Sequence, residues 1–300
     1  MGRGIGEIEF LQEHIPEWLA TPIALFTQLG DVWFLALLLG ALYLSHTTNR
    51  DAIAVVSGMT LAGLAFMDSL KHIFALPRPD QPLLPTEELP VALQPLYEAT
   101  AFSAGYGFPS GHALMTTIVY LSLADVLSIS TRKRRYLIAS LLIATVSFSR
   151  IALGVHYLVD IVVGVGLGLG FLIATGTIST SVSDKGTAAF GLAVFLAGLN
   201  LLISPADTDA LQLAGVSFGA FAGWQLVGVT RGLLSERDHA ETAISFWGRV
   251  ITAMIAITLL VAALGFNPVT SPLAQSGILG LGVAVFVLIP IIRDVRWMRS

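Results

Sequence analysis

Apolar runs long enough to cross a lipid bilayer follow one another along almost the whole sequence, separated by short polar segments. A bilayer core about 30 Å thick needs about 20 mostly apolar residues in a helix, because each residue rises about 1.5 Å. Only 12% of the residues are charged, against about 25% in a typical soluble domain, and the mean hydropathy is +0.79. The sequence therefore predicts an all-α fold class, a polytopic membrane helical bundle.

We predict about nine transmembrane helices. The sequence allows two different starting residues for the first of them. A first span at about 22–45 places Asp31 inside the membrane, whereas a span at 31–45 is short for a bilayer. We favour the shorter span, with tilt or local thinning, because Gly30-Asp31 is typical of a helix start with Asp as the N-cap. Asp31 then lies near the surface that carries the motifs described below. The other spans are expected at about 52–75, 112–130, 136–154, 157–178, 187–204, 210–230, 246–265 and 275–292.

Two hydrophilic segments interrupt this pattern. Residues 1–20 combine four glutamates with apolar positions at helical spacing, which predicts an interfacial amphipathic helix interrupted near Pro16 and Pro22. The loop at 76–110 holds seven of the thirteen prolines, so it is not expected to be helical, and it is too long for a simple connection. We expect this loop to form a cap or lid beside the candidate site.

The composition excludes several classes of function. Cysteine is absent, which excludes disulfides, thiol chemistry and iron–sulfur ligation. The net charge is −4 and basic residues cluster in one short loop, so nucleic acid is not an expected partner. Gly164, Gly166, Gly168 and Gly170 place small residues at helical spacing, which favours close packing within the monomer and leaves a homo-oligomer open.

The loop charges predict one orientation in the membrane. The short loop Arg132–Arg135 is expected on the cytoplasmic side, because cytoplasmic loops are rich in Lys and Arg. Alternation from this loop places the acidic N-terminus and the loops at 205–209 and 266–275, which lack basic residues, outside. The same alternation places a further set of basic residues inside, namely Arg50, Lys185, Arg231, Arg237, Arg293, Arg296 and Arg299. This predicts a multi-pass cell membrane protein with a cytoplasmic C-terminus, and it places Lys71, Arg78, His112, Arg150 and His156 together on the extracytoplasmic side.

The most informative polar stretch lies where two apolar runs meet, at Ser149–Asp160. If the chain is helical from His156 onward, Asp160 lies one turn later on the same face. Its carboxylate can then accept a hydrogen bond from one imidazole nitrogen and leave the other as a nucleophile. Arg150 offers a planar fork of donors for phosphate oxygens.

Two further motifs accompany this stretch. Lys71 to Pro79 reads K-x6-R-P, with Arg78 as its arginine, and Pro109 to His112 reads P-S-G-H. Together with S-R-x5-H-x3-D at Ser149–Asp160, they are in order the three signatures of the type 2 phosphatidic acid phosphatase (PAP2) superfamily, which this sequence resembles at every motif position. The resemblance covers residues 71–160, about a third of the chain.

The resemblance implies a division of roles that the residue chemistry also allows. His156 would attack phosphorus to form a phosphohistidine, Asp160 would hold the tautomer of His156, and His112 would protonate the leaving oxygen and then help to activate water. The phosphate would be bound by Lys71, Arg78, Ser110, Arg150 and the backbone of Gly111 at a helix N-terminus. No metal or other cofactor is implied, and the sequence contains no HExxH motif or Cys/His set.

These expectations divide the chain into three segments. They are an interfacial N-terminal segment at 1–20, a PAP2-type catalytic membrane core of six helices at 21–205, and additional transmembrane helices without a motif at 206–300. The expected function is a membrane-integral, metal-independent phosphatase surrounded by membrane lipids, with a lipid phosphate or polyprenyl (di)phosphate as its substrate.

Two alternatives remain open. A sugar-phosphate phosphatase of the glucose-6-phosphatase type would also have nine spans and an outward N-terminus, but the third motif here keeps Asp160, as in the lipid-acting members. A non-catalytic lipid transporter or flippase would keep cations for headgroup binding, but it would not need His156 and His112 together.

Overall fold

A computed structural model of the chain describes residues 3–45, 49–79, 81–101, 104–180, 182–205, 207–234, 239–265 and 271–297, and every long regular element in these ranges is an α-helix. The helices are α1 (Glu7–His14), α2 (Ala20–Thr27), α3 (Val32–Leu44), α4 (Arg50–Phe74), α5 (Gln94–Ala101), α6 (Gly111–Val126), α7 (Arg132–Ala152), α8 (Leu158–Thr180), α9 (Lys185–Ile203), α10 (Thr208–Leu234), α11 (His239–Ala263) and α12 (Pro272–Trp297). Short 3₁₀ turns lie at Glu17–Leu19, Gln28–Gly30 and Thr86–Glu88. The predicted all-helical, polytopic class is confirmed.

The number of helices that can cross a membrane is lower than the predicted nine. Seven helices in the described ranges are long and apolar enough for this, and an eighth span is formed if the bent pair Glu17–Gly30 and Val32–Leu44 counts as one. The two parts of this pair meet at 53°, with Asp31 at the bend. Both expected starts of the first span are therefore partly right: α3 begins after Asp31 as predicted, and an apolar helix precedes it.

The other difference is α6, the predicted third span, which has only 16 residues. Eleven of these are buried, so α6 meets other helices rather than lipid along most of its length. It packs against α7 and α8. A hydropathy pattern cannot show that a helix is enclosed by its neighbours, and an enclosed helix does not need the full length of a lipid-facing span.

Two glycines of α8 allow its close contact with α6. A Cβ on Gly164 would lie 2.7 Å from the Ser110 carbonyl oxygen, and a Cβ on Gly168 would lie 2.9 Å from the Leu114 carbonyl oxygen. Either distance is too short for a side chain, so these positions require Gly. The packing within the monomer that the glycine spacing predicted is therefore present, and it brings the start of α8 to the start of α6.

The N-terminal segment differs from the prediction at one proline. α1 ends at His14 before Pro16, as expected, but Pro22 lies in the first turn of α2, where a missing N–H costs little. The 76–110 loop also differs, because it contains α5 and the turn at Thr86–Glu88. Hydrophobic residues of this loop pack with α2 and with the end of α7, in a cluster that contains Tyr97, Ile23 and Leu153.

The chain forms two compact units. Unit 1 comprises Met1–Leu42 and Met67–Thr180, and unit 2 comprises Tyr43–Phe66 and Ser181–Ser300. The functional division at residues 21–205 and 206–300 stays a prediction. Arg237, Arg299 and residues 266–270, on which the predicted orientation partly depended, lie outside the described residues.

Unit 2 contains a cluster of polar side chains around Asp184, the N-cap of α9. Its carboxylate accepts from the Thr187 backbone N–H at 2.9 Å and from Trp224 Nε1 at 3.3 Å, and it forms an ion pair with Arg249 of α11. Gln225 of α10 is buried and donates to Thr187 Oγ1 at 3.0 Å. This cluster joins α9, α10 and α11 at one end of unit 2.

We expect Asp184→Asn to destabilise the protein. Burial raises the pKa of Asp184, but hydrogen bonds from Thr187 and the ion pair with Arg249 outweigh it and lower the pKa from 3.8 to about 2. The ionised carboxylate therefore stabilises the fold fully above pH 4, and this contribution is lost as the pH falls through about 2. The loss of the cap and the ion pair should cost about 2 kcal/mol at pH 7.

The measurement is the melting temperature of the detergent-solubilised protein between pH 7 and pH 3. The difference between wild type and Asp184→Asn should be largest at pH 7 and should shrink below pH 4. Asp209→Asn, which changes an exposed carboxylate in the first turn of α10, is the control and should have a small effect. Equal melting temperatures for Asp184→Asn and wild type at pH 7 would show that the cluster does not stabilise unit 2.

Candidate active site

The turn between α7 and α8 places His156 inside unit 1. α7 ends at Ala152 and α8 begins at Leu158, two residues later than the helix start considered in the sequence. Gly154 has a φ of +70°, and a Cβ there would collide with the Gln81 carbonyl oxygen, so the turn requires Gly. The backbone N–H of His156 donates to the Arg150 carbonyl at 3.3 Å, and the imidazole is 1% exposed.

The two nitrogens of His156 have different surroundings. Arg78 NH1 lies 3.0 Å from Nε2 and can only donate, so Nε2 accepts with its lone pair. The proton of the neutral ring is then on Nδ1, which lies 3.5 Å from Asp160 Oδ2. Burial, together with the positive charges of Arg78, Arg150 and Lys71, holds the pKa of His156 well below its usual range. The imidazole is therefore neutral at pH 7, with its basic nitrogen towards Arg78.

Two backbone N–H groups hold Asp160 in place, one through its side chain and one through its carbonyl oxygen. Its Oδ2 accepts from the Tyr157 N–H at 3.0 Å, which is the reach of an N3 carboxylate back to the N-cap of its own helix. Its carbonyl oxygen accepts from the Ser110 N–H at 3.0 Å. Asp160 is fully buried. The third motif and the second are thus joined directly through the Asp160 backbone.

Three cations of the motifs lie around His156. Arg150 is 2% exposed, and its NH1 donates to Thr27 Oγ1 at 3.1 Å and to the Thr100 carbonyl at 3.4 Å. Arg78 NH1 also donates to the Val155 carbonyl at 3.2 Å, and burial lowers the pKa of Arg78. Lys71, in the last turn of α4, lies close to Gly111, because a Cβ on that glycine would lie 3.6 Å from Lys71 Nζ. Their combined positive charge suits a phosphate dianion.

The second motif forms the start of α6, as predicted. Ser110 is the N-cap and its Oγ accepts from the Ala113 N–H at 3.4 Å, which leaves its own hydroxyl proton available to another acceptor. Gly111 is the first helical residue. A Cβ added at this position would also lie 3.1 Å from Met67 Sδ. A side chain at this position would occupy the space beside Lys71, so Gly keeps the helix N-terminus open to an anion.

His112 has a carboxylate partner that sequence reasoning did not assign. Its Nε2 lies 2.7 Å from Asp31 Oδ1, at the bend before α3. Gly30 lies against the same ring, because a Cβ there would be 2.8 Å from His112 Cδ2. If the Nε2 proton is held by Asp31, the free nitrogen of His112 is Nδ1. Each histidine of the motifs therefore has an aspartate beside it. Asp31 is within hydrogen-bond distance of His112, and Asp160 lies 3.5 Å from His156 Nδ1 without a formed hydrogen bond.

The structure brings the predicted site residues together in unit 1. Charges on Arg78, Arg150, Lys71 and His112 all act on His156, so these groups are near neighbours. The sequence did not identify two further charged side chains, Asp31 at the His112 ring and Arg3 at Asp160. Asp31 was expected near this surface as an N-cap, whereas Arg3 carried no signal beyond being the one basic residue in an acidic segment.

Comparisons with known proteins find similar sequences over the part of the chain that contains these residues. The family model described as PAP2 superfamily matches residues 51–182, which include all eight predicted site residues. Lipid phosphate phosphatase delta of Arabidopsis thaliana is 31% identical over 156 residues, or 48% of this chain and 36% of that protein. Phosphatidylglycerophosphatase B of Bacillus subtilis (strain 168) is 32% identical over 83 residues, or 26% of this chain and 41% of that protein. The matches thus span less than half the length of these curated relatives.

A solved structure is also similar, the crystal structure of the first transmembrane PAP2 type phosphatidylglycerolphosphate phosphatase from Bacillus subtilis. It superposes with a TM-score of 0.47 at 23% identity, over 59% of this chain and 85% of that one. The family model matches the stretch that contains the three motifs in order. Residues 51–182 of this chain are therefore similar to the PAP2 superfamily.

Proposed function

We propose that this protein is a membrane-integral phosphatase that hydrolyses a lipid phosphate or polyprenyl (di)phosphate through a phosphohistidine, without a metal ion. The observation that carries this proposal is the state of His156. Its imidazole is buried and neutral, its Nδ1 faces Asp160, and its Nε2 lone pair faces the cations. A neutral, oriented imidazole beside several positive charges is what nucleophilic attack on a phosphate requires.

In the first step, Nε2 of His156 attacks phosphorus and the bond from phosphorus to the leaving oxygen breaks. His112 supplies the proton that the leaving oxygen needs, and Asp31 stabilises the charged form of His112 that does so. In the second step, His112 accepts a proton from water as the water oxygen attacks phosphorus. The bond between phosphorus and nitrogen then breaks, which releases phosphate and restores neutral His156.

Arg78 links binding to this chemistry. In the structure Arg78 NH1 donates to the lone pair that must attack, so His156 is not free to react in this arrangement. A phosphate between Lys71, Arg150 and the start of α6 offers Arg78 stronger acceptors, because its oxygens are charged. The substrate itself would therefore draw Arg78 away from Nε2 and expose the nucleophile.

A lipid substrate is supported by the surroundings of the site and by the relatives. Ile73 and Phe74 follow Lys71 at the end of α4 and are 59% and 48% exposed, so an apolar surface lies beside the cationic site. The similar proteins are named as a lipid phosphate phosphatase and a phosphatidylglycerophosphatase. The loop charges of the sequence favour an extracytoplasmic site with a cytoplasmic C-terminus.

The test is phosphate release by detergent-solubilised protein in the presence of EDTA. Phosphatidic acid, phosphatidylglycerophosphate, an isoprenyl diphosphate and glucose 6-phosphate are compared at equal concentration. We expect release from at least one lipid substrate, with EDTA making no difference. Release from glucose 6-phosphate alone would favour the soluble-substrate alternative, and release that EDTA abolishes would contradict the metal-independent mechanism.

A further inference from the structure

The segment before α1 reaches the interior of the candidate active site. Arg3 Nε donates to Asp160 Oδ1 at 3.0 Å, and its NH2 group lies 3.3 Å from Asp160 Oδ2. One guanidinium therefore contacts both oxygens of a fully buried carboxylate, while the Arg3 side chain is itself only 20% exposed. Arg3 lies outside the region that the family model matches.

The same guanidinium contacts the other two motif-bearing segments. Its NH2 group donates to the Pro77 carbonyl at 2.9 Å, next to Arg78. Its central carbon lies 5.7 Å from the centre of the Phe108 ring, just before the P-S-G-H motif, and 5.2 Å from the Tyr157 ring, just after His156. Arg3 thus holds together the three places in the chain where the motifs occur.

The position of Arg3 is fixed by α1, which packs against the α7–α8 turn. Glu7 Oε1 accepts from the Leu158 N–H at 2.9 Å, at the start of α8. Gln12 Nε2 donates to the Ala152 carbonyl at 3.2 Å, at the end of α7. Ile8 is 1% exposed in a cluster with Ile151 of α7. Contacts on both sides of the turn therefore orient the segment that carries Arg3.

The charge of Arg3 has a defined effect on the pair of His156 and Asp160. A buried carboxylate with one cationic partner stays ionised, and the same partner takes up part of its negative charge. Without Arg3, the full charge of Asp160 would act on the imidazole and favour its protonated form. A protonated His156 has no lone pair for attack, so Arg3 adds to the effect of burial and of the other cations, which keep the imidazole neutral.

We propose that Arg3 is a positioning residue of this site, which fixes Asp160 and thereby orients His156 and reduces its tendency to take up a proton. This inference rests on the proposed function for its effect on turnover. It does not rest on that function for its effect on His156 itself, which can be measured in the absence of any substrate.

The first test is the kinetics of Arg3→Gln and Arg3→Lys on the lipid substrate with the highest turnover. Loss of a partner that orients a reacting group typically costs about 10- to 100-fold, and we expect this loss in kcat for Arg3→Gln. KM should change little, because the contacts of Arg3 among the described residues are with Asp160, the Pro77 carbonyl and two aromatic rings rather than with a phosphate-binding side chain. Arg3→Lys keeps the charge but not the two-point contact, so it should recover part of the loss. A higher KM with unchanged kcat would overturn the inference.

Arg132→Gln is the matched control. Arg132 also lies over an aromatic ring, 5.4 Å from the Tyr136 ring centre, and faces a carboxylate, 3.7 Å from Asp125, but it is exposed at the start of α7. We expect wild-type kinetics for this variant. A loss in Arg132→Gln equal to that in Arg3→Gln would show that removal of any arginine has this effect, and would overturn the inference.

The second test is independent of activity. His156 is followed by nitrogen NMR of protein labelled at its histidines, with Asn or Gln at position 156 used to assign its signal. The positive charges that face the ring, on Arg78, Arg150, Lys71 and His112, are the same in wild type and in Arg3→Gln. The two proteins differ only in the positive charge of Arg3 beside the Asp160 carboxylate. The His156 imidazole should therefore become protonated at a higher pH in the variant than in wild type.

This titration separates two failures. If the wild-type protein hydrolyses none of the substrates but the titration of His156 moves in Arg3→Gln, the proposed function fails and the positioning role of Arg3 stands. If the titration of His156 in Arg3→Gln coincides with that of wild type, the positioning role is overturned, whatever the turnover of the variant.

Discussion

His156→Ala should lose at least about 10⁴-fold in kcat on every phosphate substrate, with the protein still folded. The reason is that the lone pair of the neutral, buried His156 imidazole faces the cation cluster. The remaining cations can still bind phosphate, so KM should change much less than kcat. The variant should still bind substrate, but it lacks the nitrogen that attacks phosphorus. Direct attack by water on the bound phosphate should be much slower.

A covalent intermediate gives this prediction a direct readout. Brief mixing of wild-type protein with a substrate labelled in its phosphate should leave label on the protein, in a bond that acid breaks and base does not. His156→Ala should retain no label. His14→Ala, which changes an exposed histidine on α1, is the control and should be labelled like wild type. Full turnover by His156→Ala would contradict the mechanism.

The parts of the site that the sequence predicted are those encoded by local spacing. His156 and Asp160 are four residues apart, and the start of α6 at Gly111 follows a Ser that favours the N-cap. These relations need only the conformation of a short stretch of chain. The placement of Lys71 and Arg78 in the same group required the order of the motifs and the expected membrane orientation.

The contacts that sequence reasoning missed all join distant segments. Arg3 is 157 residues from Asp160, and Asp31 is 81 residues from His112. A charged residue near the end of an apolar run is compatible with many partners, and only tertiary packing selects one. The same reason explains why α6 is shorter than the span predicted for it, because enclosure of α6 by α7 and α8 depends on helix packing rather than on hydropathy.

His112→Gln should be the second most damaging change, and its size should depend on the leaving group. A lipid alkoxide is a poor leaving group and needs a proton, so loss of the general acid should cost about 10²- to 10⁴-fold with phosphatidic acid. The p-nitrophenolate anion is a good leaving group and needs no proton. The first step with p-nitrophenyl phosphate should therefore be affected much less. The second step still lacks its base, so labelled phosphohistidine should accumulate in this variant.

Asp31→Asn separates the role of the imidazole from that of its partner. It keeps His112 but removes the carboxylate at 2.7 Å, so the charged imidazole is less stable and proton donation is weaker. We expect the same preference for p-nitrophenyl phosphate, with a loss of about 10- to 100-fold on phosphatidic acid. Asp125→Asn, which changes an exposed carboxylate near the end of α6, should have no effect. If His112→Gln slows both substrates equally and no phosphohistidine accumulates, His112 is not the proton donor, and its pairing with Asp31 serves only to hold the bend before α3 against α6.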